Sequence, residues 1–234
     1  MKKLEMNNYP ELLSKEIIER AEKLSSSLVA DGMKGLDIPM QGCMEAEILP
    51  IDISMKVVGT AMTVDTKEGN NFPIHLATYS CKPGYVMVID GKGYKDSTYL
   101  GGLIVGAAKA VGVKGIIIDG YVRDRQECIK LGLPLYSKGF MQRSPSKVEE
   151  GSVNSSINCG GVVVNPGDLI VADADGVTVV PRGFIDIVLK KAEEKLSYEV
   201  KREETIASYE EAVRMGGELP VLEPKWVSEI LNSK

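Results

Sequence analysis

The chain has 234 residues, 44% hydrophobic and 26% charged, with a net charge of -5. A chain of this length buries roughly 70% of its unfolded surface, so one compact unit with a modest appendage is expected, without disulfide staples. The charged N-terminus lacks a signal-type apolar region, no segment approaches the roughly 20 apolar residues of a membrane span, and no Lys/Arg stripe interleaves with aromatics, which excludes membrane and nucleic-acid partners and points to a cytoplasmic protein.

Residues 11–30, ELLSKEIIERAEKLSSSLVA, place Leu12, Leu13, Ile17, Ile18, Ala21 and Leu24 at helical spacing, which predicts an N-terminal amphipathic helix. The Gly- and Met-rich stretch to about Pro50 has no clear period. KVVGTAMTV reads as a strand, with Gly59 marking a bulge or a close approach. From Lys82, KPGYVMVIDG is a Pro-Gly turn, a buried strand and an Asp-Gly exit; GGLIVGAAKAVG is a helix opened by two glycines; VKGIIIDG is a second buried strand. RDRQECIKLG follows as a short helix ended by Gly132, and LPLYSKG as a third strand. Strands alternating with helices of about ten residues predict βαβ units and a parallel sheet. Beyond Ser144, GGVVVNPGDLIVADADGVTVVPRG gives three short β runs divided by Pro-Gly and Asp-Gly, a hairpin-rich layer. Residues 184–214 form a long charged helical stretch whose polar face is too wide for burial, so part of it projects or meets another subunit.

Few residue groups carry chemistry. Cys43, Cys81, Cys128 and Cys159 are scattered, without C-x-x-C or Cys/His pairs, which predicts reduced thiols rather than a zinc site. The run GGLIVG (Gly101, Gly102, Gly106) is neither G-x-G-x-x-G nor a P-loop, so nucleotide binding is disfavoured. It serves either close helix packing or, through free amides at a helix N-terminus, the holding of a carboxylate.

Arg123 and Asp124 follow a buried strand, where open α/β sheets place a ligand crevice. One reading is a surface ion pair, or Asp124 as the N-cap of the next helix. The other gives the arginine a substrate carboxylate and the aspartate a hard cation. His75, the single histidine, rules out a multi-histidine metal cage; it reads as structural near the site, with a secondary ligand or proton-shuttle role as the alternative. Asp173, Asp175 and Gly176 in VADADG lack the remaining ligands of a calcium loop, and Asp175-Gly176 reads as a hairpin turn.

In order, VVGTAMTV, GNNFPIHLA, PGYVMVIDG, GGLIVGAAKAVGVKGIIIDGYVRD, LGLPLYSKG and VNPGDLIVADADGVTVVPR resemble the RraA-like family, which includes class II 4-hydroxy-4-methyl-2-oxoglutarate aldolases and related oxaloacetate decarboxylases. The resemblance covers most of the chain. It implies an α/β, swivelling β/β/α fold, with residues 1–50 a helical segment on the core, 51–183 the core domain, and 184–234 a helical extension between subunits. It further implies a homotrimer or homohexamer with active sites between subunits, a divalent metal (Mg²⁺ or Mn²⁺), and a small 2-oxo acid substrate cleaved to pyruvate. On this resemblance Arg123 would bind the oxo acid, Asp124 the metal, and the amides of Gly101, Gly102, Leu103 and Ile104 the substrate. Glu199 would be a carboxylate delivered from a neighbouring subunit.

One departure is visible. The aldolase pattern carries a carboxylate twenty-one residues before the arginine, and that position is Gly102. Its task of orienting metal-bound water would be vacant or moved to Asp96, Glu199 or His75. Retro-aldol cleavage needs a base as well as an electron sink, whereas decarboxylation of a β-oxo acid needs mainly the sink. Gly102 therefore predicts that oxaloacetate decarboxylation survives better than aldol cleavage. The sink would be a metal rather than a Schiff-base lysine, because the strands exit into Asp90 and Asp119. The alternative from another class is a non-catalytic regulator of the ribonuclease RNase E.

Overall fold

The computed structural model describes residues 4–232. After β1 (Glu5–Met6), the predicted N-terminal helix is two short ones, α1 (Lys15–Ala21) and α2 (Ser26–Gly32). The break has a local cause: the Ser25 side chain accepts from Leu28 N and starts a second helix, as Ser14 starts the first. Lys56 Nζ donates to the carbonyls of Glu22 and Leu24 at 2.9 and 3.1 Å, closing the end of α1.

The core follows as β2 (Leu49–Pro50), β3 (Val57–Thr66), α3 (Phe72–Ser80), β4 (Tyr85–Asp90), β5 (Thr98–Leu100), α4 (Gly102–Ala110), β6 (Gly115–Ile118), β7 (Tyr121–Val122), α5 (Arg125–Leu131), β8 (Leu135–Ser137) and β9 (Gly139–Phe140). Strands β3, β4, β6 and β8 are parallel neighbours, the βαβ array expected from the sequence. Gly59 in β3 is a close approach rather than a bulge, since a Cβ there would meet Val86 Cγ2 at 2.7 Å. The hairpin layer is β10 (Gly151–Val153), β11 (Ile157–Cys159), β12 (Val162–Val164), β13 (Leu169–Asp173) and β14 (Gly176–Val180). Both β10 and β13 pair antiparallel with β3, at opposite ends of that strand.

Alternation along the strands divides the apolar residues between two faces. Met87, Ile89, Ile116 and Ile118 join Ile74, Ile104, Val105 and Cys128 of α3, α4 and α5 in one cluster. Val86, Val88 and Ile117 join Val164, Ile170 and Val179 of the hairpin layer in the other. The parallel sheet is thus the middle layer of a β/β/α stack, buried on both faces, which is why its strands read as continuous apolar runs.

A second small sheet, not predicted from the sequence, lies beyond the parallel one. The chain leaving β4 and β6 breaks at a glycine-containing segment and that leaving β8 at Lys138; each re-forms as a short strand, β5, β7 or β9, and these three pair in parallel as a second sheet. The turn at Gly120 has no room for a side chain, because a Cβ would lie 2.8 Å from the Tyr99 ring.

Helix α6 (Ile185–Met215) runs through the division between two compact units, the first ending at Ala192 and the second beginning at Glu193. The second unit holds the rest of α6 and α7 (Lys225–Asn232), tied within itself by Arg202 Nη2 donating to Leu222 O at 2.6 Å. Among the described residues no helix is long and apolar enough to cross a membrane.

Candidate active site

Each short strand delivers one loop to a common cleft. β5 runs into Gly101 and the start of α4, β7 into Arg123 and Asp124 and the start of α5, and β9 toward Ser144. Asn71, His75, Gly101, Leu103, Arg123, Asp124 and Lys147 are among the residues lining the resulting cavity of about 340 Å³. The volume suits a small organic acid.

Asp124 occupies the N-cap position of α5, yet its side chain makes no capping bond. Its backbone is left-handed, with φ 58° and ψ 42°, a conformation uncommon for a residue with a side chain and held here by the surroundings. The carboxylate crosses instead to the next loop, where Gly102 N donates to Oδ2 at 3.1 Å. Arg123 Nε lies 3.7 Å from that same oxygen, with the two side chains 40% and 42% exposed, and Arg123 Nη1 donates to Ser144 Oγ at 3.2 Å. The pair therefore touches itself through one edge. Most of the guanidinium fork remains for a ligand.

Of the four amides at the start of α4, Gly102 N is taken by Asp124, and Ile104 N bonds Gly101 O at 3.1 Å. Gly101 N and Leu103 N have no partner among the described residues, and Leu103 is 89% exposed at the cavity. Two free donors thus remain in this turn, where four were predicted.

The structure explains the missing carboxylate at Gly102. A Cβ on Gly102 would lie 2.6 Å from Glu127 Cδ and 2.8 Å from Glu127 Oε2, and a Cβ on Gly101 would lie 2.3 Å from Asp124 Oδ2. The acid group of Glu127, from the first turn of α5, fills the place where a side chain at 102 would begin. Sequence reasoning missed it, although a signal was present: Asp124 and Glu127 are three apart at a helix start, which puts them on one face.

The other predicted positions separate. His75 lines the cavity from α3; burial, reinforced by the charge of Lys147, holds its pKa below the ordinary 6.5. Asp96 is exposed and absent from the cavity lining, and its carbonyl accepts from Arg143 Nη1 at 2.9 Å. Glu199 belongs to the second unit, where it pairs with Lys195 at 3.5 Å. Tyr99 lines the cavity, but burial pushes its phenol up to about 12, and its hydroxyl is spent between Gly69 N and Gly91 O. The VADADG segment is the predicted hairpin, and Asp173 serves α2, accepting from Ser26 N and Oγ at 2.7 and 2.6 Å.

A three-layer β/β/α core with a second small sheet, presenting an Arg-Asp pair against a glycine-opened helix, defines an α/β protein with a polar cleft. The RraA-like family model, described as Aldolase/RraA, matches residues 26–179, and the chain belongs to this family. A relative from Halalkalibacterium halodurans, named "Putative 4-hydroxy-4-methyl-2-oxoglutarate aldolase", is 35% identical over 199 residues, 85% of this chain and 92% of that one. The crystal structure of Streptomyces coelicolor RraAS2, described as an unusual member of the RNase ES inhibitor RraA protein family, aligns with a TM-score of 0.72 at 26% identity, over 81% of this chain and 98% of that one. A Geobacillus kaustophilus structure described as an S-adenosylmethionine: 2-dimethylmenaquinone methyltransferase aligns with a TM-score of 0.56 at 30% identity, over 59% of this chain and 85% of that one; the present chain has no G-x-G-x-x-G loop.

Proposed function

We propose that this chain is a cytoplasmic, divalent-cation-dependent carbon–carbon lyase that cleaves 2-oxo acids to pyruvate, working as a homotrimer or homohexamer. Its reactions are oxaloacetate decarboxylation and retro-aldol cleavage of 4-hydroxy-4-methyl-2-oxoglutarate-type substrates. The observation that carries the reading is the placing of two carboxylates, Asp124 and Glu127, against the adjacent glycines that open α4, beside an arginine with donors to spare. The likeness to the H. halodurans relative supports it.

The residues fit a hard cation. Among the described residues no group of three or more His, Cys, Asp or Glu gathers, so Asp124 and Glu127 would hold Mg²⁺ or Mn²⁺ together with substrate oxygens, as Mg²⁺ sites with one or two carboxylates do. When bound, the cation supplies the electrophile that stabilises negative charge at the 2-oxo group. Arg123 clamps the adjacent carboxylate with its open fork, and Leu103 N–H donates to the same end of the substrate. Gly102 N fixes Asp124 through Oδ2, so the carboxylate is oriented before ligand arrives. Lys147, which lines the cavity, draws the second acid group of a dicarboxylate into it.

The test is turnover of both substrates by untagged protein with Mg²⁺ or Mn²⁺, and again after chelation. Metal-restored release of pyruvate from either is expected; no release from either, with either metal, overturns the proposal. A second reading, a non-catalytic regulator of RNase E-type ribonucleases, is favoured by the likeness to RraAS2. Capture of such a ribonuclease by a chain that turns over neither substrate would establish it.

A further inference from the structure

We infer that Asn71 reads the hydroxyl group of the substrate, and so separates 4-hydroxy-2-oxo acids from oxo acids that lack it. The inference rests on the lyase reading of the same cavity for its substrate class, but its chemistry is carried by Asn71 itself.

Asn71 stands at the N-cap of α3, with φ -118° and ψ 10°, where an asparagine side chain ordinarily accepts from an amide of the first turn. It makes no such bond. Its neighbour Asn70 takes that task, its Oδ1 accepting from Phe72 N at 3.2 Å. The Asn71 side chain is turned inward instead. The residue is 5% exposed and lines the cavity. Nδ2 donates to Tyr99 O at 3.0 Å, which fixes the amide's orientation, because the flipped form would set two acceptors against each other. The atom left over is Oδ1, and among the described residues no donor reaches it. A buried acceptor without a donor is disfavoured, and such groups are few in native proteins.

What Oδ1 needs is an O–H or N–H. The carboxylates and the 2-oxo group of an oxo-acid substrate are acceptors only at neutral pH, so none of them satisfies it, and a carboxylate set against it is repelled. The hydroxyl of a 4-hydroxy-2-oxo acid is the one donor such a molecule carries. His75 lies one turn along the same helix, its N donating to Asn71 O at 3.1 Å, and lines the same cavity. Asn71 and His75, one turn apart on α3, therefore both line the cavity that also holds Arg123 and Asp124, with the unpartnered Oδ1 buried at its wall. Asparagine is no base, so its part is to hold the hydroxyl and select for it. Sites built to bond a substrate hydroxyl discriminate strongly against analogues without one.

The test compares Asn71→Ser with the wild type, since the shorter serine draws its oxygen back toward the main chain and leaves the place of Oδ1 without an acceptor. With Mg²⁺ present, the ratio of kcat/KM for 4-hydroxy-4-methyl-2-oxoglutarate to that for oxaloacetate is expected to fall at least about tenfold. A parallel fall in both, as a merely structural asparagine would give, overturns the inference, as does an unchanged ratio. A second arm uses probes that are not cleaved, citramalate and methylsuccinate, which differ by one hydroxyl, titrated calorimetrically in chelator so that no cation contributes. The wild type should prefer citramalate by about tenfold or more, and Asn71→Ser should lose that preference. Equal binding of the two by the wild type overturns the inference whether or not the variant folds. A wild type that keeps the preference but turns over neither substrate removes the lyase reading and leaves the hydroxyl reading standing.

Discussion

Two carboxylate-bearing edges of the molecule face opposite fates. At the carboxyl end of the large parallel sheet, Asp65 and Asp90 share Lys92, the former at 2.6 Å, while Asp119 is 2.7 Å from Lys138, which also reaches Glu45 at 2.6 Å. Asp119 Oδ2 further accepts from Gly160 N at 3.1 Å. Burial pulls the Lys138 ammonium toward neutrality, but Asp119 and Glu45 outweigh it and hold its pKa well above the ordinary value. At the end of the small sheet, Arg123 and Asp124 share a single 3.7 Å contact and stay open. Open α/β sheets bind ligands outside the carboxyl ends of their strands. Here the first such edge is consumed by internal ion pairs, and the second sheet moves the usable edge one layer outward. One segment, residues 116–124, contributes to both: Asp119 is held in an ion pair and Asp124 stays open.

The largest effect that tests this contrast is on turnover. Asp124→Asn should lower kcat/KM by about a hundredfold or more, the scale of removing one fixed charge-stabilising group, while the melting temperature moves by no more than about 2 °C. Lys138→Met should do the reverse, leaving Asp119 buried without its cation and costing about 3 kcal/mol or more of unfolding free energy. Its folded fraction should keep most of its activity. Urea unfolding beside single-turnover kinetics reads both, and a stable, inactive Lys138 variant would erase the distinction between the edges.

A smaller effect sharpens the outer edge. Because the Glu127 carboxylate stands where a side chain at 102 would begin, Glu127→Ala should lower cation-dependent turnover by about ten- to a hundredfold, the range for groups that support a metal ligand set. Aldol cleavage should fall further than decarboxylation, since it also needs proton transfer. Gly102→Asp alone meets Glu127 and should not help; in the Glu127→Ala background it should restore part of the loss. Additive losses in the double variant would show that the two positions do not share one place.

The middle sheet and its helices were legible because long apolar runs alternate with helical periods and end in Gly-containing turns, as in KPGYVMVIDG and VKGIIIDG. The second sheet was not. Its strands have two or three residues each, too few to show a period, and their pairing is set by the breaks before them rather than by their own composition. The split of α1 from α2 hung on one capping serine inside an otherwise continuous pattern. Arg123 and Asp124 stood out as an unusual pair at a strand exit, whereas Glu127 read as one more charge on a short helix. Asn71 was hidden for a similar reason, since an asparagine before a helix looks like a cap until its side chain is seen to decline that bond.

The smallest expected effect concerns pH. The inner edge has no histidine, and the single imidazole of the chain sits at the outer one. Burial and the neighbouring Lys147 hold the folded pKa of His75 below 6.5, with the Tyr79 ring stacked at 6.4 Å. A base whose folded pKa is depressed favours the neutral form in the folded state, so its contribution is present above the unfolded pKa. That contribution is lost as pH falls through 6.5 toward the folded value, because the unfolded chain takes up the proton first. Stability of the wild type should therefore decline more between pH 7 and 5 than that of His75→Gln. An anion in the cavity opposes the shift: oxalate should raise the His75 pKa, read directly from the one imidazole signal in proton NMR of untagged protein, and should bind more tightly at pH 6 than at 7.5. A titration curve that oxalate leaves unmoved would detach His75 from the cleft and leave α3 with Asn71 as its sole contribution to the outer edge.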